Sequence, residues 1–164
     1  MLPGQFISRA DSWLWNQQEY DWKGRVVRSI PSDSNGSDGK DQLISYEGCG
    51  CAGGQVTTVQ GELVPKDTNP NETARRTQKI YEDILGRTRK VETLNWDNQV
   101  YTTVANTFDG RDQVTRVRQY AGSEFAGTYQ DVTTTFDGHG RLKTRHYPVE
   151  DANTETTYIY NIDD

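Results

Sequence analysis

Two cysteines stand close together in a glycine-rich segment of the sequence. Cys49 and Cys51 are the only cysteines among the 164 residues, and a single glycine separates them. Two thiolates could contribute to a metal site, but structural zinc sites use four ligands. They could act as a redox pair, although active pairs usually have two residues between the cysteines. They could also form a tight disulfide with each other or pair with another chain.

Two histidines could complete a metal centre or act in catalysis. They are His139 and His146, and both lie far from the cysteines in the sequence. Neither lies in a motif for nucleophilic catalysis, and the acidic residues stand mostly at turns. We therefore favour a glycine-rich turn with two unreactive thiols, or a local disulfide between Cys49 and Cys51. The sequence predicts no metal ion, no cofactor and no enzymatic activity.

Four tryptophans are the other residues that could bind a ligand, because exposed indole rings can stack against sugars. They are Trp13, Trp15, Trp22 and Trp96. Tryptophan is usually highly buried, so packing against a sheet is the favoured interpretation of the pair at 13 and 15. Glycan stacking by any of the four stays open as the alternative.

The elements that position these residues share a short recurring pattern. An aromatic residue precedes an acid or its amide, two positions follow, and a turn residue closes the pattern. Six copies begin at Tyr20, Tyr46, Tyr81, Phe108, Phe136 and Tyr160, and the Tyr81 copy has one extra residue. Spacings of 24 to 35 residues between copies are typical of a repeat architecture.

Each copy has the chemistry of a three-residue hairpin loop. Asp or Asn at the first turn position can hydrogen-bond the backbone two residues on, and Gly at the fourth suits a left-handed conformation. The pattern predicts a type I turn closed by a glycine bulge, with positive φ at the glycines. The predicted turn-forming residues are Asp21, Gly24, Glu47, Gly50, Asp83, Gly86, Asp109, Asp112, Asp137 and Gly140.

The segments that flank the turns are typical of β-strands. They are rich in β-branched and aromatic residues with two-residue alternation. Each repeat is therefore predicted to be one hairpin, and successive hairpins to continue one antiparallel sheet. Residues 74–81 have some helical propensity, but a strand is expected for their second half. Residues 65–71 are predicted as a loop, and residues 31–41 as a mobile hairpin tip rather than a calcium loop.

Composition limits the kind of protein that the chain can be. Hydrophobic residues make up 32% of it and the mean hydropathy is -0.90, which is poor for a compact two-layer core. An extended sheet with one modest apolar face fits better. The net charge of -6 argues against nucleic acid as a partner. No apolar run is long enough to span a membrane. The first residues do not resemble a signal peptide, so any export signal is expected outside this chain.

Two copies of the pattern identify a family resemblance. Tyr20-Asp21-x-x-Gly24-Arg25 and Phe136-Asp137-x-x-Gly140-Arg141-Leu142 resemble the YD repeat of rearrangement-hotspot (Rhs) proteins, teneurins and the shell components of insecticidal toxin complexes. The resemblance covers roughly residues 20–164, as five to six repeats, and residues 1–19 are expected to form an N-terminal aromatic strand. It implies an all-β fold in which the repeats form one long sheet that coils into a shell.

The resemblance also implies a function. In that family, bacterial shells commonly enclose a toxic C-terminal segment, and the animal relatives act in cell adhesion. We expect residues 1–164 to be a single repeat array, without chemistry of its own, in a secreted or cell-surface scaffold or filament. Family shells take many more repeats, and neither a self-cleaving aspartate motif nor a toxin domain is present. A section of a larger protein or a self-associating unit is therefore expected.

The partners expected from the resemblance are neighbouring repeats or further copies of the chain, which would pair at open sheet edges. Toxin cargo and glycans are further expected partners, whereas nucleic acid and a membrane span are not. The alternative function is a carbohydrate-binding or adhesion module that uses exposed Trp and Tyr residues.

Overall fold

The computed structural model describes residues 16–48, 54–67, 69–124, 127–147 and 155–161. Within these ranges it contains eleven strands and no helix. The strands are β1 (Gln17–Tyr20), β2 (Val26–Ile30), β3 (Gln42–Gly48), β4 (Gln55–Lys66), β5 (Asn69–Glu82), β6 (Thr88–Leu94), β7 (Val100–Phe108), β8 (Val114–Ala121), β9 (Tyr129–Phe136), β10 (Leu142–His146) and β11 (Glu155–Thr157).

All eleven strands belong to one antiparallel sheet in which each strand pairs with the next along the chain. The sheet does not close into a barrel, so among the described strands β1 and β11 have one neighbour each. This confirms the predicted all-β array of consecutive hairpins. Because successive strands run in opposite directions, their connections alternate between two ends of the sheet.

The end of the sheet that we call the turn edge carries the repeated turns. It contains the connections after β1, β3, β5, β7 and β9, and four of these are the five-residue turns 21–25, 83–87, 109–113 and 137–141. The opposite end carries connections of differing length and sequence, such as 31–41 and 95–99. The repeat therefore places four turns of one kind along a single edge of the sheet.

The longest hairpin differs from the prediction. Residues 65–71 were expected to form a loop, but Pro65 pairs with Thr73 and Lys66 pairs with Asn69. The wide spacing between the Tyr46 and Tyr81 copies arises because β4 has 12 residues and β5 has 14. Register shifts in the pairing of β4 with β5 accommodate this length.

Two further expectations are corrected by strand pairing. Glu47 was predicted as a turn residue, but it lies in β3, where it pairs with Val56 in a register that is unbroken as far as Gly48. Residues 74–81 lie wholly in β5. The strand expected for their second half is confirmed, and the first half is also strand because it pairs with β4 despite its helical propensity. At one edge of the sheet, β11 ends at Thr157, although the Tyr158 N–H still donates to the Lys143 carbonyl at 2.9 Å.

The sheet is a single layer with little interior. Ile30 and Leu94 are the buried apolar side chains of the described part, and Asp41, Thr77 and Thr103 are its buried polar ones. The chain has an accessible surface of 12252 Å², whereas a compact monomer of this mass would expose about 8,200 Å². Backbone pairing, turns and side-chain ladders must therefore supply much of the stability that a core supplies elsewhere.

Candidate functional site

The first turn of the turn edge shows how one aspartate closes a loop. The Gly24 N–H donates to the Asp21 carbonyl at 3.0 Å, and the Asp21 N–H donates to the Arg25 carbonyl at 2.9 Å. The Asp21 carboxylate accepts the backbone N–H groups of Lys23 and Arg25 at 2.9 and 3.0 Å. It also accepts the Arg25 guanidinium at 2.8 Å. One side chain therefore fixes the turn and orients the following arginine.

The two backbone N–H bonds to the carboxylate recur at Asp83, Asp109 and Asp137. The guanidinium bond recurs at Asp83 and Asp137. The residue in the fourth position has φ of +77° at Gly24, +76° at Gly86, +82° at Gly140 and +64° at Asp112, as the sequence predicts. The N–H of Arg25 holds the pKa of Asp21 below its usual range, and the N–H of Arg141 does the same for Asp137. For Asp83 the Arg87 guanidinium is the main cause of the lowered pKa.

A fifth turn of this type was not recognised in the sequence. It comprises residues 95–99, which connect β6 to β7. Asn95 takes the place of aspartate, and its side-chain oxygen accepts the N–H groups of Asp97 and Gln99 at 3.0 and 2.8 Å. Asn98 takes the place of glycine with φ of +60°. Asn in both key positions is the signal that could have identified the turn, which lies at the end of the sheet opposite the turn edge.

The arginine after each turn reaches the aromatic residue of the next repeat. Arg25 lies over the Tyr46 ring at 4.1 Å, Arg87 over the Phe108 ring at 4.8 Å and Arg141 over the Tyr160 ring at 4.2 Å. Each distance joins the guanidinium carbon to the ring centroid. In the Asp109 turn Gln113 stands in place of arginine, and it donates to the Gly140 carbonyl of the next turn at 2.7 Å. Consecutive turns are thus joined by side chains.

A second contact between repeats satisfies a backbone carbonyl just beyond the end of strand pairing. The Tyr46 hydroxyl donates to the Val26 carbonyl at 2.9 Å, and the Tyr160 hydroxyl donates to the Leu142 carbonyl at 2.9 Å. Both acceptors directly follow a turn arginine. A buried carbonyl without a donor is destabilising, so these hydroxyls extend the ladder where the backbones separate.

Phenylalanine cannot make this bond, and another side chain replaces it. Two residues before Phe108, the Asn106 amide donates to the Thr88 carbonyl at 3.0 Å. Two residues before Phe136, the Thr134 hydroxyl donates to the Val114 carbonyl. We define the repeat latch as two contacts between consecutive repeats. The first is made by the last turn residue, which is an arginine over the next aromatic ring or Gln113 donating to the Gly140 carbonyl. The second is the side-chain bond to the carbonyl that follows the turn. The aromatic and arginine positions of the latch follow from the sequence pattern, but their partners do not, because the partners are about twenty residues away.

A buried ion cluster anchors the loop 31–41, which was predicted as a mobile tip. Asp41 is 3% exposed and accepts Arg28 and Arg75, each at 2.6 Å. Arg75 also donates to the Gly61 carbonyl at 2.8 Å. The Arg75 guanidinium lowers the pKa of the Asp41 carboxyl, burial opposes this, and Arg28 reinforces it. The loop is therefore fastened to β2 and β5 by its last residue.

The candidate glycan-binding tryptophans do not form one surface in the described part. Trp22 lies at the turn edge and is 89% exposed, with the Lys23 ammonium 4.9 Å from its ring centroid. Trp96 lies at the opposite end, half-buried, with the Arg76 guanidinium 5.5 Å from its ring centroid. Trp13 and Trp15 lie outside the described residues.

The residues first considered for chemistry are not assembled by the described structure. Cys49, Gly50 and Cys51 lie outside the described residues. His139 lies in a turn at one end of β10, and His146 ends the same strand. No three His, Cys, Asp or Glu side chains of the described ranges are grouped as metal ligands would be. The described part also has no helix that is long and apolar enough to cross a membrane.

Comparison with models of protein families and with curated proteins found no match for this chain.

Proposed function

We propose that the chain is a structural repeat module of the YD type, in a secreted or cell-surface scaffold, and that it acts without catalysis. Its two outer strands pair with strands of the same kind, from neighbouring repeats or from another copy. The scaffold would be a toxin-enclosing shell or an extracellular filament. The observation that carries the proposal is the open backbone of β1 and β11.

Within the described ranges, the outer strands present hydrogen-bonding groups that pair with no other strand. All residues of β1 and β11 are exposed. The Asp21 N–H points toward β2, so alternation along the strand turns the N–H of Gln18 and Tyr20 to the outside. At the other edge the Tyr158 N–H points toward β10, and the N–H of Thr157 therefore points outward. Such edges recruit further strands unless something covers them.

The repeat latch supports a neighbouring repeat as the occupant of the β1 edge. Tyr46, Phe108 and Tyr160 each receive an arginine from the preceding turn. Tyr20 holds the equivalent position, is 57% exposed, and receives no such arginine from any described residue. A preceding repeat would supply the arginine and cover the ring.

The molar mass in solution tests this proposal. Light scattering across a concentration series is expected to show a mass that rises above the monomer. Gln18→Pro and Thr157→Pro remove outward N–H groups without removing a bond of the existing ladder, so together they are expected to keep the chain monomeric. Gln18→Ala with Thr157→Ala is the matched control and should associate like the parent. A monomeric parent at every concentration would contradict the proposal.

Glycan stacking at Trp22 is a second candidate, favoured by the 89% exposure of this indole at a turn. Tryptophan fluorescence titrated with neutral oligosaccharides tests it. Binding predicts a shift that Trp22→Ala abolishes and Trp96→Ala retains. An unchanged spectrum, with no protection from a quencher, would exclude this candidate.

A further inference from the structure

One face of the central strands contains a groove that the repeat pattern does not require. Tyr81 pairs with Lys90, Lys90 with Ala105, and Ala105 with Arg118. Directly paired residues lie on the same face, so a small alanine on β7 stands between long side chains on β6 and β8. The result is an open cleft of about 390 Å³. We call it the cationic groove, lined by Tyr81, Lys90, Ala105, Arg116, Arg118 and Tyr120.

Four cations line the groove, and one of them, Arg89, is exposed and lies 5.6 Å from the Phe108 ring centroid. Of the other three, two are already neutralised. Arg118 makes two bonds of 2.6 Å to the Asp131 carboxylate. Lys90 lies 2.9 Å from Glu92, and it also approaches Glu124 at 3.7 Å. These ion pairs fix the groove walls, since Glu92 further accepts the Tyr81 hydroxyl at 2.8 Å.

The third cation, Arg116, makes no ion pair with any described residue. Its guanidinium donates to the Thr107 hydroxyl at 3.2 Å, and its buried Nε has no acceptor within the described structure. A guanidinium has five N–H donors in a fork that suits a carboxylate. The groove therefore has one half-buried positive charge to offer to an anionic group.

The walls suit a ring with many hydroxyl groups. Tyr81 and Tyr120 contribute aromatic rings on either side of the alanine floor, and aromatic faces pack against apolar C–H surfaces. Glu124 at the rim has only its long contact to Lys90 among the described residues, so its carboxylate can accept hydroxyl donors. An acidic peptide would add negative charge beside Glu92 and Glu124, whereas a sugar with one carboxylate would donate hydroxyls to them.

We propose that the cationic groove binds one carboxylated sugar unit of an acidic glycan. The carboxylate pairs with Arg116, the pyranose ring lies over Ala105 between Tyr81 and Tyr120, and ring hydroxyls donate to Glu124. The site includes neither Trp22 nor Trp96 and does not depend on pairing at the sheet edges.

Titration calorimetry with trigalacturonate tests the site, with the methyl-esterified trisaccharide as the uncharged comparison. The parent is expected to bind trigalacturonate at least tenfold more tightly than its ester, and raised salt should weaken binding. Arg116→Gln is expected to reduce the affinity at least tenfold. Ala105→Leu fills the floor while keeping every charge, and it should reduce the affinity as well.

Arg145→Gln is the matched control. Arg145 also has a buried Nε without an acceptor in the described structure, but it pairs with Thr134 and so lies on the opposite face from Arg116. The affinity of the Arg145→Gln variant for trigalacturonate should stay within twofold of the parent. Circular dichroism should show that all three variants fold. Any of four results would overturn the proposal. The parent could bind the acid and the ester equally, or could fold and bind neither. Arg116→Gln and Arg145→Gln could lose equal affinity, or hexaglutamate could bind more tightly than trigalacturonate.

Discussion

At the scale of single residues, position within the turn decides what a glycine does. Gly86 and Gly138 both lie in turns of the turn edge, and an added Cβ would meet no atom within 4 Å at either position. They differ in backbone conformation, because φ is +76° at Gly86 and lies outside the left-handed region at Gly138. The pair therefore separates backbone strain from steric contact.

We expect Gly86→Ala to reduce the free energy of unfolding by about 1–2 kcal/mol, since an L-residue is strained at this φ. Gly86→Asn should lose less, because asparagine tolerates the left-handed conformation. Gly138→Ala is the control, and it should leave stability unchanged or slightly raised. Urea denaturation measures all three, and equal midpoints for Gly86→Ala and Gly138→Ala would reject the turn assignment.

Asp41 is the residue whose charge matters most to the fold in this account. The pKa of Asp41 is lowered in the folded state. The ionised carboxylate therefore adds to the free energy of unfolding above the ordinary aspartate pKa, and this stabilisation is lost as pH falls through the pKa that Asp41 has in the folded state. Asp41→Asn leaves Arg28 and Arg75 without their shared carboxylate, so at pH 7 it should destabilise the chain by about 3 kcal/mol. Between pH 4 and 2 the variant should lose less stability than the parent.

Asp33→Asn is the control for this prediction. Asp33 also forms an ion pair, with Lys40 at 2.7 Å, but its side chain is 68% exposed. Such a pair is screened by solvent, so its removal should leave stability nearly unchanged. Similar losses for both variants would show that the cluster around Asp41 has no special role.

At the scale of elements, the repeat latch explains why the aromatic position of the repeat can hold either tyrosine or phenylalanine. The carbonyl after each turn needs a donor, and either the aromatic hydroxyl or the side chain two residues earlier supplies it. Asn106→Ala should therefore destabilise the chain by about 1 kcal/mol, because the Thr88 carbonyl loses its donor.

Adding Phe108→Tyr to Asn106→Ala should restore part of this loss, since a tyrosine hydroxyl makes the equivalent bond at residue 46. Phe108→Tyr alone should leave the stability unchanged, because the Asn106 amide already donates to the Thr88 carbonyl. Thermal melting of the single and double variants measures this, and additive effects of the two changes would contradict the latch.

Hairpin order followed from local sequence, but contacts between repeats did not. Asp21 and Gly24 determine their turn and lie within four residues of each other, so the turn could be predicted. The bond from Tyr46 to Val26 spans twenty residues, and the cluster of Asp41 with Arg75 spans thirty-four. Proline and asparagine residues at 65–71 suggested a loop. Pro65 and Asn69 instead pair within the hairpin of β4 and β5, where register shifts accommodate them. Local preference gave way wherever a neighbouring strand offered hydrogen bonds.

At the scale of the whole molecule, a single-layer sheet exposes both faces and both edges. Its paired row Ile80, Val91 and Val104 is only half-buried, and its edge strands are wholly exposed. A repeat sheet buries such surfaces against further repeats. The proposed scaffold role rests on this need for neighbouring strands.

Hydrogen exchange at the two edge strands tests that claim most directly. In dilute solution the outward N–H groups of Gln18, Tyr20 and Thr157 should exchange freely, because no described strand pairs with them on that side. At concentrations where the mass has risen, these amides should become protected, and the turn edge should exchange as before. Association that leaves all three amides unprotected, or that protects the turn edge instead, would contradict strand addition at the sheet edges.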